Sequence, residues 1–447
     1  MVITSIAVAL WSILFLGTFR YPLHWDDYHL IRGYSSQELA SVFHGTNDPD
    51  HVETPSYRPV ATLFFAGLGL LDDHLVAIRI ASVLLMWIFL VVAGALLAEL
   101  DLAALQIALV FTLLVSSRVF ACLALWTTAG NMVVCYVCML LAGYFVLVFA
   151  RTGSAYVFLG VVVCACAAVL TREEAYALPL LFPLLAHARG ATGRDPWRRV
   201  ALASAVAGLV AVVHRTLEKT FVAPVGSLRL GTGSLRRWAM AEAASWMPGG
   251  LALGRTPFTL GPAVLWIAFV GVILLSQFRS NALPRAGSGI VIGFVLCLPS
   301  LAVPRAMGVV LPQLAYMTLV VLAAFEFVRL AGRVPRGVLI AFVSCGLLIG
   351  VTSGLRRSSL VAEAMRPDCA PRAARDAEMI FDMYPQRVTI PRERLETARS
   401  RLAHFGLRSP ADVEALRMSI ERFSGPRGPN AKLPNGLFVP AYDYLWY

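Results

Sequence analysis

Long apolar runs broken by short basic loops set the element count of this chain. Runs near 20 residues recur along it, the helix length that crosses about 30 Å of hydrocarbon at 1.5 Å per residue. The pattern predicts about eleven spans, at roughly 2–19, 76–98, 102–117, 131–150, 154–171, 175–189, 199–215, 261–278, 288–303, 311–329 and 337–355. The ten-residue alternation of an outer-membrane barrel does not occur. The first run has no basic lead-in and no small-x-small cleavage site, which makes it a retained span and not a signal peptide. Residues 57–72 form a shorter apolar stretch with polar ends, read as an interfacial or re-entrant helix begun by Pro59.

Beyond 355 the pattern changes to a charged, proline-punctuated tail with helical stretches near 371–384, 391–405 and 410–423. The expected architecture is therefore an all-α polytopic membrane protein. Residues 1–355 form the transmembrane domain, and 356–447 a small, mainly helical external domain.

Composition agrees with that class, with 58% hydrophobic residues and a mean hydropathy of +0.70. The net charge of +11 could suggest nucleic acid, but its placement argues otherwise. Arginines cluster in short loops, at 189, 194, 198 and 199, at 279 and 285, and at 329, 333 and 336. Such loops read as cytoplasmic. The first long loop is acidic, with Asp26, Asp27, Glu38, Asp48, Asp50, Glu53, Asp72 and Asp73. A cytoplasmic start with an odd span count puts this loop, the 216–260 loop and the tail outside. Cys135-x-x-Cys138 has metal-site spacing but no companion His or second pair, so these cysteines read as small buried hydrophobes.

The external ends of the spans carry the candidate chemistry. Trp25-Asp26-Asp27-Tyr28 follows the first span, where a carboxylate can take a proton at the membrane surface. The bland alternative is an interfacial aromatic belt with solvated aspartates. Arg118, the Trp126–Asn131 loop, Thr171-Arg172-Glu173-Glu174, His214-Arg215 and Pro304-Arg305 open to the same side. Charged groups at membrane depth face a protein interior or a wet cavity.

The order of these motifs resembles the GT-C fold membrane glycosyltransferases, including protein O-mannosyltransferases and bacterial polyprenyl-phosphate-sugar-dependent transferases. The resemblance covers about residues 1–355. It rests on Trp25-Asp26-Asp27, Tyr57-Arg58-Pro59, the Trp126 loop and Thr171-Arg172-Glu173-Glu174-Ala175. Leu298-Pro299 and Pro312–Tyr316 look like a degraded Pro-Glu-Arg-Tyr-x-Tyr element, from which Gln313, Leu314 and Ala315 depart.

The resemblance implies an inverting transfer of a sugar from a polyprenyl-phosphate donor. The acceptor hydroxyl would belong to an extracytoplasmic glycan, lipid or protein. It also implies a bacterial inner (plasma) membrane location, with the active site and tail extracytoplasmic. Asp26 is the first choice as base, with Asp27 orienting it or the acceptor. Arg58, then Arg172 and Arg305, are candidates for the donor phosphate, because a guanidinium binds such an oxyanion bidentately. For Arg58 the alternative is a helix-start arginine snorkelling to headgroups. Trp25, Tyr57, Trp126, Glu173 and Glu174 are candidates for sugar or acceptor contact. No cofactor or metal is demanded, although the acidic loop could take a divalent cation. Rival classes are a transporter or flippase of a lipid-linked sugar, and a non-catalytic assembly protein.

Overall fold

The computed structural model describes residues 1–21, 23, 27–46, 56–71, 74–222, 232–248, 257–278, 283–298, 309–330, 335–366, 373, 376–377, 381, 392–415, 430–432 and 438–440. The described chain is helical except for an antiparallel ribbon in the tail, Asn430–Lys432 against Phe438–Pro440. Among the described residues, five helices are long and apolar enough to cross a membrane. They are α5 (Leu75–Glu99), α8 (Gly130–Thr152, with the turn before it), α11 (Arg194–Phe221), α15 (Val310–Leu330) and α16 (Arg336–Ala364). A sixth span arises if α6 (Ala104–Ser116) and α7 (Arg118–Leu125), bent by 66°, count as one.

The other predicted spans appear as shorter or differently bounded helices. α1 (Val2–Leu14) has 13 residues and continues as a 3-10 turn through Arg20. The two together rise about 30 Å. α9 (Ala155–Thr171) and α10 (Leu178–Ala188) are separated by a 3-10 turn, Glu173–Ala177. α13 (Pro257–Phe278) and α14 (Leu283–Cys297) match the predicted positions, although 299–303 lies outside the described residues. The 57–72 stretch is the helix α4 (Pro59–Gly69), with its proline in the first turn. There the missing amide proton costs nothing.

The α6–α7 bend departs from the predicted straight span over 102–117. Arg118, expected in a loop, instead opens a helix and is buried. A bend at membrane depth is tolerated only if its freed backbone groups find partners. Here they do. Ser117 Oγ accepts from the Phe120 amide at 3.3 Å, and the Arg118 amide donates to the Pro248 carbonyl at 3.1 Å. The Ser358 hydroxyl donates to the Ser116 carbonyl at 2.8 Å. α16 comes this close because Gly354 lacks a side chain; a Cβ there would sit 2.8 Å from that same carbonyl oxygen.

One end of the bundle gathers basic loops. Arg151 pairs with Glu99 at 3.0 Å, and Arg189 pairs with Asp101. Arg199 donates to the Ala150 carbonyl at 3.0 Å, tying the start of α11 to the end of α8. The opposite end carries α2 (Asp27–Leu30), α3 (Ser36–Ser41) and the start of α4. α3 is held by a capping box in which the Ser35 side chain accepts from the Glu38 amide, and the Glu38 carboxylate accepts from Ser35.

The tail does not begin where the composition changes, since α16 runs through residue 355 to Ala364. In the tail, α17 (Arg392–His404) fits the 391–405 expectation, and residues 410–415 are helical. Ala373, Ala377, Ala398, Leu402, Leu407 and Val413 form one apolar cluster with Leu23, Ile31, Leu68 and Ile78. The tail therefore docks on the first loop and on the adjoining ends of α4 and α5.

The bend supplies a stability test. Ser358→Ala strands a buried carbonyl and should lower unfolding stability by about 1–3 kcal/mol. Gly354→Ala forces two backbones apart and should cost a similar ~1–3 kcal/mol. Thermal unfolding in detergent, against a surface alanine variant of α16, checks both.

Candidate functional site

The polar residues that the apolar pattern cannot accommodate meet at the end opposite the basic loops. Arg58 is the N-cap of α4, and Pro59 fixes the turn that follows it. Its Nε and Nη2 donate to the two carboxylate oxygens of Glu173 at 3.0 and 2.7 Å. Glu173 stands in the 3-10 turn between α9 and α10, reached through Arg172 in extended backbone. That extended residue ends α9 and turns the next two carboxylates toward neighbouring helices.

Arg172 Nε donates to both oxygens of Glu174 at 3.1 and 3.0 Å, and its Nη1 reaches Asn131 Oδ1 at 3.4 Å. Asn131 lies at the start of α8, three residues after Thr128. The Thr128 amide donates to Asp27 Oδ1 at 2.8 Å, and Asp27 is fully buried. Arg79 donates to Thr127 Oγ1 at 3.0 Å and to the Leu125 carbonyl. One short segment, 125–131, thus contacts Asp27, Arg79 and Arg172.

A third strand of the network fixes the residue before Arg58. His214 Nε2 lies 2.9 Å from the Tyr57 carbonyl, which can only accept. Nε2 therefore carries the proton in the neutral ring, and Nδ1 accepts from the Tyr176 hydroxyl at 2.7 Å. The Tyr57 ring is buried, packs on His214 and Phe221, and donates its hydroxyl to the Phe43 carbonyl at 3.2 Å.

Both arginines are balanced by glutamates, and this sets the electrostatics. Burial alone would raise the Glu173 carboxyl, but the Arg58 guanidinium and its hydrogen bonds, with Arg172 behind, bring it down to about 2. Burial opposes ionisation of Glu174 too; Arg172 overrides it against the like charge of Glu173, so that carboxyl also lies below its ordinary value. Both glutamates are therefore charged at neutral pH. The arrangement can present oriented guanidinium donors and carboxylate acceptors to one polar ligand.

The structure brings Asp27, Arg58, Arg172, Glu173 and Glu174 into this network, with Tyr57 directly behind it. Trp126 is also adjacent, but it is buried in the main core and caps α7. Trp25, Asp26 and Arg305 lie outside the described residues. Arg79 and Tyr176 join the network without being among the residues that the motifs single out. Arg79 had a visible signal, a lone cation inside an apolar run; Tyr176 had none, because a tyrosine at a span edge is ordinary.

The Pro312–Tyr316 segment lies in a separate cluster. Tyr316 is fully buried, stacks on Trp246 at 4.0 Å and donates to Glu242, while Gln313 Nε2 donates to the Met247 carbonyl at 3.0 Å. These contacts fasten α12 (Thr232–Ser245) to α15. No protein-family model matches the chain, and no curated protein is similar to it.

The Arg58–Glu173 pair can be weighed by a double-mutant cycle. The side chains are 17% and 28% exposed, so solvent screens them in part. Arg58→Gln or Glu173→Gln alone should lower stability by about 1–3 kcal/mol. The double variant should lose less than the sum, with a coupling of about 0.5–3 kcal/mol. Because the Glu173 carboxyl is depressed, the pair's contribution is complete above the ordinary carboxylate range and lost as pH falls toward about 2. Denaturation curves at pH 7 and in strong acid should show the gap between wild type and Glu173→Gln closing only in acid.

Proposed function

We propose that the chain is an integral-membrane glycosyltransferase of GT-C-like architecture with about eleven spans. It moves a sugar from a polyprenyl-phosphate donor to an extracytoplasmic hydroxyl with inversion. The observation that carries this reading is the joining of Arg58–Glu173, Arg172–Glu174 and Asp27 in one network, at the end of the bundle remote from the arginine-rich loops.

The chemistry assigns each group a task. The acceptor oxygen attacks the anomeric carbon and gives its proton to a carboxylate, for which Asp26 is the candidate. Asp27, fixed to the Thr128 amide, positions that segment. The bond from sugar to phosphate oxygen breaks, and its electron pair leaves with the lipid phosphate. Arg58 meets that charge. Glu173 occupies its Nε edge, and among the described residues Nη1 has no hydrogen-bond partner, so a phosphate oxygen can take that side. The glutamate then acts as an orienting group for the guanidinium. Each glutamate oxygen keeps a lone pair for a sugar hydroxyl. Arg172 and Arg305 remain the further candidates for the phosphate, and the acceptor's chemical class stays a glycan, lipid or protein hydroxyl.

Transfer of a labelled sugar from polyprenyl phosphate, followed by thin-layer chromatography, tests the activity. Asp26→Asn should slow turnover by roughly 10²–10⁴-fold with insertion unchanged. Arg58→Ala should lose about 2–4 kcal/mol of transition-state stabilisation, by analogy with a lost oxyanion donor. Movement of the labelled lipid across vesicles without a new glycosidic product would favour the transporter.

Orientation has its own test, in a background without native cysteines. His44→Cys should react with an impermeant thiol reagent in intact cells, and Thr192→Cys only after lysis. The reverse pattern would invert the topology.

A further inference from the structure

A second feature lies on the far side of the bundle and takes no part in the network above. A cavity of about 1030 Å³ runs between α5, α6, α8, α10, α14 and α15. Its shaft is walled by leucines such as Leu140, Leu185, Leu311 and Leu314. Thr318 in the wall is already satisfied, since its hydroxyl donates to the Leu314 carbonyl at 2.7 Å. From Leu311 to Arg329 the slot follows α15 for about 27 Å at 1.5 Å per residue. An apolar slot of that length in a membrane-spanning bundle suits hydrocarbon chains.

The polarity of the two ends is unequal, and that fixes how an amphiphile would sit. Near Leu311 and Leu314 the walls are hydrocarbon. At the other end the lining is Asp101, Gln106, Glu326, Arg329 and Arg336. Asp101 is paired with Arg189, and Glu326 accepts from Arg329 at 2.6 Å. Gln106 spends its carbonyl oxygen on the Ala103 amide at 2.8 Å, which leaves its amide donors directed elsewhere. Arg336 is exposed and has no ion-pair or hydrogen-bond partner among the described residues. The mouth thus carries one cation more than its carboxylates balance, together with spare donors.

We propose that this cavity binds one anionic glycerophospholipid from the leaflet at the arginine-rich end. Its chains fill the leucine-walled shaft, and its phosphate lies at Gln106, Arg329 and Arg336. A donor lipid whose phosphate sits at Arg58 would need its headgroup at the opposite end, where the slot is lined by apolar side chains such as Leu311, Leu314 and Ala315. The site is therefore distinct from the transfer site and does not depend on the transfer reading. A guanidinium beside an anionic headgroup shifts preference about fivefold.

The test is to reconstitute the full chain in vesicles of equal parts phosphatidylglycerol and phosphatidylcholine, extract it mildly and identify retained lipid by native mass spectrometry. Wild type should keep one phosphatidylglycerol in preference to phosphatidylcholine. Arg329→Gln with Arg336→Gln, at the exposed mouth, should keep a lipid but lose the headgroup preference. Ala323→Phe, which fills the shaft, should empty the site. Retention of no lipid by wild type would overturn the proposal. So would a headgroup preference that survives the double arginine variant, or retention of added polyprenyl phosphate in place of phosphatidylglycerol.

Discussion

The bidentate pair between Arg58 and Glu173 is the interaction on which the candidate site depends. It joins the start of α4, a short helix in the first loop, to the break between α9 and α10. Neither segment holds its charge alone at low cost, because a half-buried ion without a partner loses hydration that nothing replaces. Together they fix the separation of two elements more than one hundred residues apart in sequence. Arg172 and Glu174, one residue to each side of Glu173, repeat the pairing and add a link to α8 through Asn131. His214 then pins the Tyr57 carbonyl, so the backbone entering Arg58 is held as firmly as its side chain.

Breaks in helices recur where this bundle carries polar groups, and each break is made safe in the same way. At the α9–α10 junction the Arg172 amide donates to the Ala168 carbonyl at 2.9 Å and its carbonyl accepts from the Ala175 amide at 3.3 Å, while its side chain pairs with Glu174 and that of Glu173 with Arg58. At the α6–α7 bend the freed groups are met by Ser117, Pro248 and Ser358. The hydrocarbon around a bundle cannot satisfy these groups, so the protein must do so from within. The consequence is coupling. α16 cannot move off the bend without stranding the Ser116 carbonyl, and α4 cannot move off the junction without stranding Arg58.

How much of this was legible in the sequence follows from which signals are local. The Pro59 start of α4, the helical tail segment around α17 and the arginine-rich end depend on residues close in sequence, and they could be read directly. The 66° bend could not, because Ser117 and Arg118 resemble any polar span end until Pro248 and Ser358 are placed beside them. The glutamates illustrate the same limit. Their convergence with Arg58 could be inferred from a common membrane face, but that each would hold an arginine needs the fold. The change in composition at 355 was misleading for a physical reason. A helix leaving the apolar layer gains polar residues while its backbone hydrogen bonds continue, and α16 does so for another two turns.

The tail adds a constraint that composition alone would never suggest. Its alanines and leucines share an apolar cluster with Leu23 and Ile31, which flank the Asp27 turn, and with Leu68 and Ile78 at the ends of α4 and α5. Asp27 is therefore held from two directions, by the Thr128 amide on the bundle side and by neighbours packed under the tail. At the other end of α4, Gly69 lies against the Arg32 backbone, where a Cβ would come within 2.0 Å of the carbonyl oxygen. Arg58 at one end of α4 and the α2–α3 connection at the other are thus spaced by a single rigid helix. Any displacement of the tail is felt first at that connection, and through α4 at the arginine. The tail is thus a structural neighbour of the candidate site and not a separate appendage.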